Sequence, residues 1–106
     1  MESNELKAYL QLLEQGIAHP SDNELFGRIL KLSESELLLT DSDLAVEMQM
    51  NRSTIHRWRS GASAPLIIMR KSVFNWLKKR TSLMIRKIDE KNKNLPDKSK
   101  LSAKEL

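Results

Sequence analysis

Apolar residues recur at three- and four-residue intervals near the start of the chain: Leu6, Leu10, Leu13 and Ile17. This spacing is that of one face of an α-helix. It predicts a first helix over residues 3–15, which Gly16 would end. A second apolar stripe, with Phe26 and Ile29 at its centre, predicts another helix over residues 23–32, after a break at Pro20.

The middle of the chain predicts two short helices joined by a tight turn. Thr40 can cap a helix over residues 41–48, and Asn51 can cap one over residues 52–60. Residues 33–39 fit either an extension of the second helix or an irregular link. Helical spacing then returns over residues 66–88, as one long helix or two.

These elements predict an all-α fold, a small helical bundle of about five helices. Residues 1–90 would form a single domain, with the pair of short helices at 41–61. From Lys91 onward the chain is polar, charged and non-periodic, so residues 91–106 are expected to form a flexible basic tail.

Charge is divided unevenly between the two halves of the chain, although the formal net charge is only +4. Residues 1–50 carry three basic and ten acidic side chains, whereas residues 51–106 carry fifteen basic and four acidic ones. A basic half of this kind suits an anionic partner, most simply nucleic acid phosphates. Solvated helix faces also carry charge runs, so charge alone leaves the partner open.

Several function classes find no support in the residues. The two histidines, His19 and His56, lie far apart, and no nucleophile, glycine-rich or metal-binding pattern accompanies them. We therefore expect no enzyme activity, no catalytic residue, no metal and no cofactor. The chain has no cysteine and no apolar run of roughly 20 residues. A cytoplasmic protein with no membrane contact is the expectation.

The two short helices separate an apolar set from a polar one. The apolar set, expected to face inward, is Leu44, Ala45, Met48, Met50, Ile55 and Trp58. The outward positions of the second helix carry hydrogen-bond donors and no acid: Arg52, Ser53, Thr54, His56 and Arg57. Such side chains can donate to phosphates or to base edges, and arginine can bind guanine O6 and N7 with two bonds.

A family pattern runs through the same segment: Leu44-Ala45, Met48, Met50, Asn51, Ile55, Trp58, Gly61 and Pro65. This run resembles the helix-turn-helix of the phage repressor and Cro family, also called Xre-like regulators. The resemblance covers about 25 residues, roughly a quarter of the chain. It implies a sequence-specific transcriptional regulator of double-stranded DNA, bacterial or phage-encoded and nucleoid-associated. The family also implies that residues 52–60 lie in the major groove.

The resemblance implies roles by position. Base contacts fall on the five outward residues from Arg52 to Arg57. Contacts to the DNA backbone fall on a second set: Ser42, Asn51, Arg59, Ser60, Arg70 and Lys71. The sequence departs from the family in three places. Arg59-Ser60 replaces the usual acid-and-asparagine pair and adds positive charge near the DNA backbone. Gln49 replaces the usual turn glycine, so it must adopt a left-handed conformation or the turn must differ. Asp41 stands where a glutamine near phosphate is common, and it would repel that phosphate.

A homodimer is the expected assembly, because one recognition helix covers only about four or five base pairs. Two apolar stripes are candidate interfaces. The first is C-terminal and comprises Leu77, Leu83, Met84, Ile85 and Ile88; the second is N-terminal and comprises Leu6, Leu10 and Leu13.

Two other functions remain open at this point. One is a protein-interaction module, antitoxin-like or RNA-polymerase-binding, in which the acidic N-terminal half or the C-terminal helix binds a protein partner. The other is RNA binding, which the scarcity of aromatic residues disfavours.

Overall fold

The computed structural model describes the backbone of residues 3–104 and the side chains of residues 3–91. Within that range the chain forms helices and no strand, which confirms the predicted all-α fold with about five helices. The helices are α1 (Asn4–Ala18), α2 (Asn23–Glu36), α3 (Asp41–Met48), α4 (Arg52–Ser60) and α5 (Ile67–Lys104).

Helix α1 continues past Gly16, so the prediction that this glycine ends the helix is wrong. Gly16 is buried at the contact of α1 with its neighbours. A Cβ atom added there would lie 2.6 Å from Ile29 Cδ1 and 3.0 Å from Phe74 Cζ. The missing side chain therefore allows α1 to pack closely against α2 and α5.

Helix α2 is four residues longer than the predicted element and includes most of the ambiguous segment. Ser33 is buried inside it, and its hydroxyl donates to the carbonyl of Leu30 at 2.6 Å. A short link then leads to α3. In this link Leu37 and Leu39 are buried, whereas Leu38 is exposed and has a φ of 59°. Because a β-carbon disfavours this left-handed region, Leu38 lies in a strained conformation.

One hydrophobic core joins the helices. Helix α1 packs against α5 and α2, while α4 packs against α2 and α3. Phe26 lies at the centre of this core, with its ring centroid 5.9 Å from that of Trp58 in an edge-to-face arrangement and 5.4 Å from that of Phe74. The buried hydroxyl of Tyr9 donates to the carbonyl of Ile29 at 2.8 Å, and burial raises the pKa of Tyr9. Helices α3 and α4 are thus attached to the core chiefly through α2.

Helix α5 is one continuous element and not two. It extends beyond Lys91, where the sequence predicted the start of a flexible tail, and continues as helix to Lys104. A reason lies in helix cooperativity, because a residue added to an existing helix gains a hydrogen bond without a new nucleation cost. Side chains from 92 onward lie outside the described part of the chain, and the mobility of this stretch stays a prediction.

The C-terminal stripe predicted as a dimer interface is largely occupied by the fold itself. Leu77 is completely buried in the core, so its assignment to an interface is wrong. Met84, Ile85 and Ile88 are half-buried and pack against the same core, and only Leu83 is exposed. The physical reason is that α1 packs along this side of α5.

The N-terminal stripe fails as an interface for the same reason. Leu6 and Leu13 are buried between α1 and its neighbours, and Leu10 is half-buried against the core. The fully buried residues of both stripes are therefore unavailable to a second chain.

Among the helices that the structure describes, none combines the length and the apolar character that crossing a bilayer requires.

Candidate nucleic-acid interface

Helix α3 begins with the predicted Thr40 cap, which is one half of a reciprocal pair of hydrogen bonds. The hydroxyl of Thr40 accepts from the backbone N–H of Asp43 at 3.1 Å, and the Asp43 carboxylate accepts from the backbone N–H of Thr40 at 2.9 Å. This capping box satisfies backbone donors that the first helical turn leaves unpaired. The backbone hydrogen bond from Thr40 is also the main reason that the pKa of Asp43 lies below its usual value.

In the turn between α3 and α4, the structure shows the first of the two alternatives, a left-handed Gln49. Gln49 has φ 57° and ψ 49°, and its backbone N–H bonds to the carbonyls of Ala45 and Val46. Met50 N–H also donates to Ala45 at 2.8 Å. Asn51 occupies the N-cap position of α4, although its side chain makes no capping hydrogen bond. The turn therefore keeps a tight geometry without glycine, at the cost of backbone strain.

We expect Gln49→Gly to raise the free energy of unfolding by about 0.5–1 kcal/mol, because glycine adopts φ near +57° without steric penalty. Urea denaturation followed by circular dichroism measures the change. Gln11→Gly is the matched control: Gln11 is exposed inside α1, where glycine should instead destabilise by about 1 kcal/mol. Equal destabilisation by both substitutions would contradict the strain at Gln49.

Helix α4 brings four of the five predicted base-contact residues onto one concave surface. Arg52, Ser53, His56 and Arg57 line it together with the start of α3, including Ser42. We call this concave surface, which Glu34, Thr40 and Asp41 also line, the α3–α4 surface. The four predicted residues and Ser42 are exposed.

The remaining predicted contacts lie around that surface. Thr54 is half-buried on the flank of α4, where its hydroxyl accepts from Arg57 Nη2 at 3.5 Å. Asn51, Ser60 and Lys71 are exposed, but none of them lines the concavity. The hydroxyl of Ser60 donates to the carbonyl of Arg57 at 3.0 Å, within its own helix.

Arg59 does not face solvent, which corrects its assignment as a DNA backbone contact. Its guanidinium is buried and donates to the carbonyl of Leu30 at 2.9 Å, to that of Leu39 at 2.7 Å and to Ser33 Oγ at 2.8 Å. A further bond reaches Asp41 Oδ1 at 2.5 Å. Arg59 therefore joins α4 to α2, to the link after α2 and to the start of α3, and its burial keeps it from reaching a phosphate.

The same contact changes the role expected for Asp41. The resemblance implied that this carboxylate would repel a nearby phosphate, but its charge is offset by the Arg59 guanidinium. His56 Nδ1 lies 3.5 Å from the other carboxylate oxygen of Asp41. Glu34 also lines the α3–α4 surface, although its position in the sequence did not indicate this. Unlike Asp41, Glu34 has no basic partner among the described ion pairs.

Arg70 is the second predicted backbone contact that the structure corrects. It is buried, with Nε donating to the carbonyl of Pro65 and Nη1 to that of Pro20, both at 2.8 Å. Its guanidinium also lies 5.5 Å from the ring centroid of Phe26. Arg70 thus fastens the loop before α2 to the loop before α5.

A second concave region lies between α3 and α5 and consists of two adjoining hollows that share Glu47 and Trp76. Ser42 lines both this region and the α3–α4 surface. Apolar side chains from both helices and from the preceding link line this region: Leu38, Val46, Met48, Ile68, Met69 and Trp76. Charged residues also line it, with Asp43 and Glu47 on α3 and Arg80 on α5. We call this concavity the α3–α5 groove. The groove was not predicted, because the spacing of residues along one helix does not show which face of a distant helix lies beside it.

Comparison with known proteins adds no relative: no family model, no curated protein and no solved structure matches this chain. The fold and the site together define a small all-helical protein with a donor-rich concave surface on two short helices.

Proposed function

We propose that this protein is a sequence-specific regulator of transcription that binds double-stranded DNA with the α3–α4 surface. In this proposal α4 enters the major groove, and Arg52, Ser53, His56 and Arg57 contact base edges or adjacent phosphates. The protein would act in the cytoplasm of a bacterium or in a phage-infected cell, in association with the nucleoid.

The observation that carries the proposal is the division of α4 into two faces. Ile55 and Trp58 are buried and fix the helix to the core. The opposite face presents two arginines, a histidine and hydroxyls, and the sequence of α4 contains no acid. A helix held rigidly by its apolar face, with hydrogen-bond donors and no acid outward, suits a groove lined by base edges and phosphates.

Electrostatics on the rest of the chain support the same partner. Helix α4 begins the half of the sequence in which basic residues outnumber acidic ones by fifteen to four. Lys71 is exposed near the start of α5 and is available for a phosphate. Ser42 at the start of α3 adds an exposed hydroxyl to the same surface.

Selection of bound sequences from random duplex DNA tests the proposal. We expect enrichment of a defined motif, repeated as a palindrome if two copies bind adjacent half-sites about one helical turn apart. Selection with the Arg52→Ala and Arg57→Ala double variant is the control, and it should lose the enrichment. A wild-type protein that enriches no sequence would contradict sequence-specific binding.

Affinity for the selected site should fall steeply with salt, because each neutralised phosphate releases condensed counterions. We expect log K against log salt to decrease with a slope of about −0.9 for each phosphate contacted. Fluorescence anisotropy across a salt series measures this slope. A flat salt response would exclude a phosphate-binding surface.

The alternative function is a protein-interaction module, antitoxin-like or RNA-polymerase-binding. One observation favours it: Val46 and Ile68 are 80% and 77% exposed beside the α3–α5 groove, which is typical of protein contacts. A protein-interaction module would bind its protein partner but would enrich no DNA sequence in the selection described above.

A further inference from the structure

The two basic residues of α2 lie beside the end of α4. Arg28 and Lys31 are both exposed, and both line a hollow between the two helices. Ser60 and Gly61, at the end of α4, line the same hollow, which we call the α2–α4 hollow. It shares no lining residue with the α3–α4 surface. Basic side chains are thus present at a second place next to α4.

Close backbone packing fixes the position of this hollow relative to α4. A Cβ atom added at Gly27 would lie 3.4 Å from the carbonyl oxygen of Trp58 and 3.9 Å from the Cα atom of Gly61. Arg28 follows Gly27 directly, and Lys31 lies about one helical turn further along α2. Because the two backbones are in near contact at Gly27, both basic side chains start from positions that the fold holds beside α4.

Neither basic side chain has a partner within the protein that explains its position. No ion pair within residues 3–91 includes Arg28 or Lys31. The end of α4 does not need them as caps, because backbone N–H groups of the following turn pair with its last carbonyls, as Ala62 does with Arg57 at 2.9 Å. Both charges are therefore available to a partner outside the chain.

These two residues are exceptional in the acidic half of the sequence. Residues 1–50 carry ten acidic side chains and three basic ones, and two of the three are Arg28 and Lys31. The third, Lys7 on α1, lies 3.8 Å from the carboxylate of Asp89. The uneven charge along the chain therefore conceals a basic site in the first half, next to the helix that begins the basic half.

A helix that lies in the major groove has a phosphate backbone on each side of it. In the proposed function, the elements that flank α4 would therefore lie near phosphates. Helix α3 flanks the beginning of α4 and contributes the exposed Ser42, whereas α2 flanks its end and contributes Arg28 and Lys31. Arginine and lysine both bind phosphate, so the α2 flank has the chemistry that this position requires.

We propose that Arg28 and Lys31 form a second DNA contact, which binds phosphates of the duplex backbone beside the major groove that receives α4. The contact adds affinity and fixes orientation without reading sequence, because phosphates are the same at every base pair. This inference rests on the proposed function, since α4 must lie on DNA for α2 to reach the backbone. It extends the interface to a helix outside the helix-turn-helix segment.

The salt dependence of binding tests this contact. Arg28→Gln and Lys31→Gln should each make the slope of log K against log salt shallower by about 0.9, and should each weaken binding about eightfold at 0.1 M salt. The loss should be the same on the selected duplex and on an unrelated one, because a phosphate contact is independent of sequence. Fluorescence anisotropy across a salt series measures both quantities, and circular dichroism confirms that each variant is folded.

Two control variants separate a direct contact from a change in total charge. Lys7→Gln removes the third basic side chain of the first half from α1, which packs against α5 and α2, and it should change affinity by less than about twofold. Glu24→Gln should act in the opposite direction and strengthen binding to both duplexes. Its carboxylate lines the α2–α4 hollow and would repel a phosphate there.

Directed cleavage of DNA locates the contact. The chain has no cysteine, so a single Lys31→Cys substitution provides one attachment point for an iron chelate that cuts nearby DNA. Bound to the selected duplex, this conjugate should cut the backbone at a discrete position at the edge of the motif. The same chelate on a Lys7→Cys variant should leave the duplex uncut.

The possible failures of this contact and of the proposed function are distinguishable. Arg28→Gln and Lys31→Gln variants with the wild-type slope would overturn the contact, and so would an uncut duplex with the chelate at position 31, while sequence selection by α4 could still succeed. A wild-type protein that binds neither duplex would overturn both proposals. A protein that binds both duplexes equally, with a shallower slope in both variants, would support the contact and contradict sequence-specific binding.

Discussion

Replacing Arg59 with alanine should lower the free energy of unfolding by about 3–5 kcal/mol. The guanidinium is buried and donates to acceptors on α2, on the following link and on α3. Its removal leaves the Asp41 carboxylate and the carbonyls of Leu30 and Leu39 without this donor. A loss of that size is a large fraction of the total stability of a small domain, about 5–15 kcal/mol. Urea denaturation followed by circular dichroism measures it.

Arg57→Ala is the matched control for this prediction. It removes the same side chain from the same helix, two residues away, but at an exposed position. Its effect on stability should stay within about 0.5 kcal/mol. Arg59→Lys should recover only part of the loss, because an ammonium lacks the planar fork that reaches several acceptors at once. An Arg59→Ala variant as stable as the Arg57→Ala control would contradict the anchoring role.

The bounds of α3 and α4 were predictable because the signals that set them are local. Thr40 forms its capping hydrogen bond with Asp43, only three residues away. Gly61 ends α4 with a φ of 82°, which glycine adopts without strain. Even the left-handed Gln49 follows from the short connection between two helices. Interactions within a few residues of sequence need no knowledge of the tertiary fold.

The two buried arginines were not predictable from the same evidence. Arginine is rarely buried without a set of partners, and those partners are distant in sequence. Arg59 donates to Leu30, and Arg70 donates to Pro20, fifty residues away. Position on the helix gave a partial signal, since Arg59 is four residues after Ile55 and so lies on the buried side of α4. A basic residue beside an apolar stripe can be a structural anchor, and its charge is then unavailable to DNA.

The two apolar stripes that were predicted as dimer interfaces show a different limit of sequence-based prediction. An apolar stripe indicates that a helix buries that face, but not what covers it. The stripes of α1 and α5 cover each other inside the monomer, so Leu13 and Leu77 are both core residues. The groove between α3 and α5 instead combines residues from two helices that have no obvious complementary pattern. Tertiary packing alone identifies it.

The burial of Arg59 and Arg70 reduces the number of side chains that are available to DNA. With Arg59 and Arg70 buried, the basic residues of the α3–α4 surface are Arg52 and Arg57. Each must then account for a larger share of any affinity. The ion pair between buried Arg59 and half-buried Asp41 contributes indirectly, because it fixes the start of α3 against α4.

Arg57→Ala should therefore weaken binding to the selected DNA site by roughly 1–3 kcal/mol, about 5- to 150-fold, if Arg57 contacts a base edge. The loss should be smaller on an unrelated duplex, because a base contact contributes to specific binding alone. Fluorescence anisotropy with both duplexes at one salt concentration measures the two losses. The variant is expected to fold normally, since the side chain is exposed and its contact with Thr54, at 3.5 Å, is long.

Lys71→Ala is the comparison that separates bases from phosphates. Lys71 is exposed on α5 and outside the α3–α4 surface, so its loss should weaken both duplexes equally and reduce the salt slope by about 1. If Arg57→Ala behaves in the same way, Arg57 binds phosphate and the base contacts lie on Arg52 or His56. If Arg57→Ala changes neither affinity, α4 does not enter the groove, because its exposed face cannot do so without placing Arg57 against the DNA.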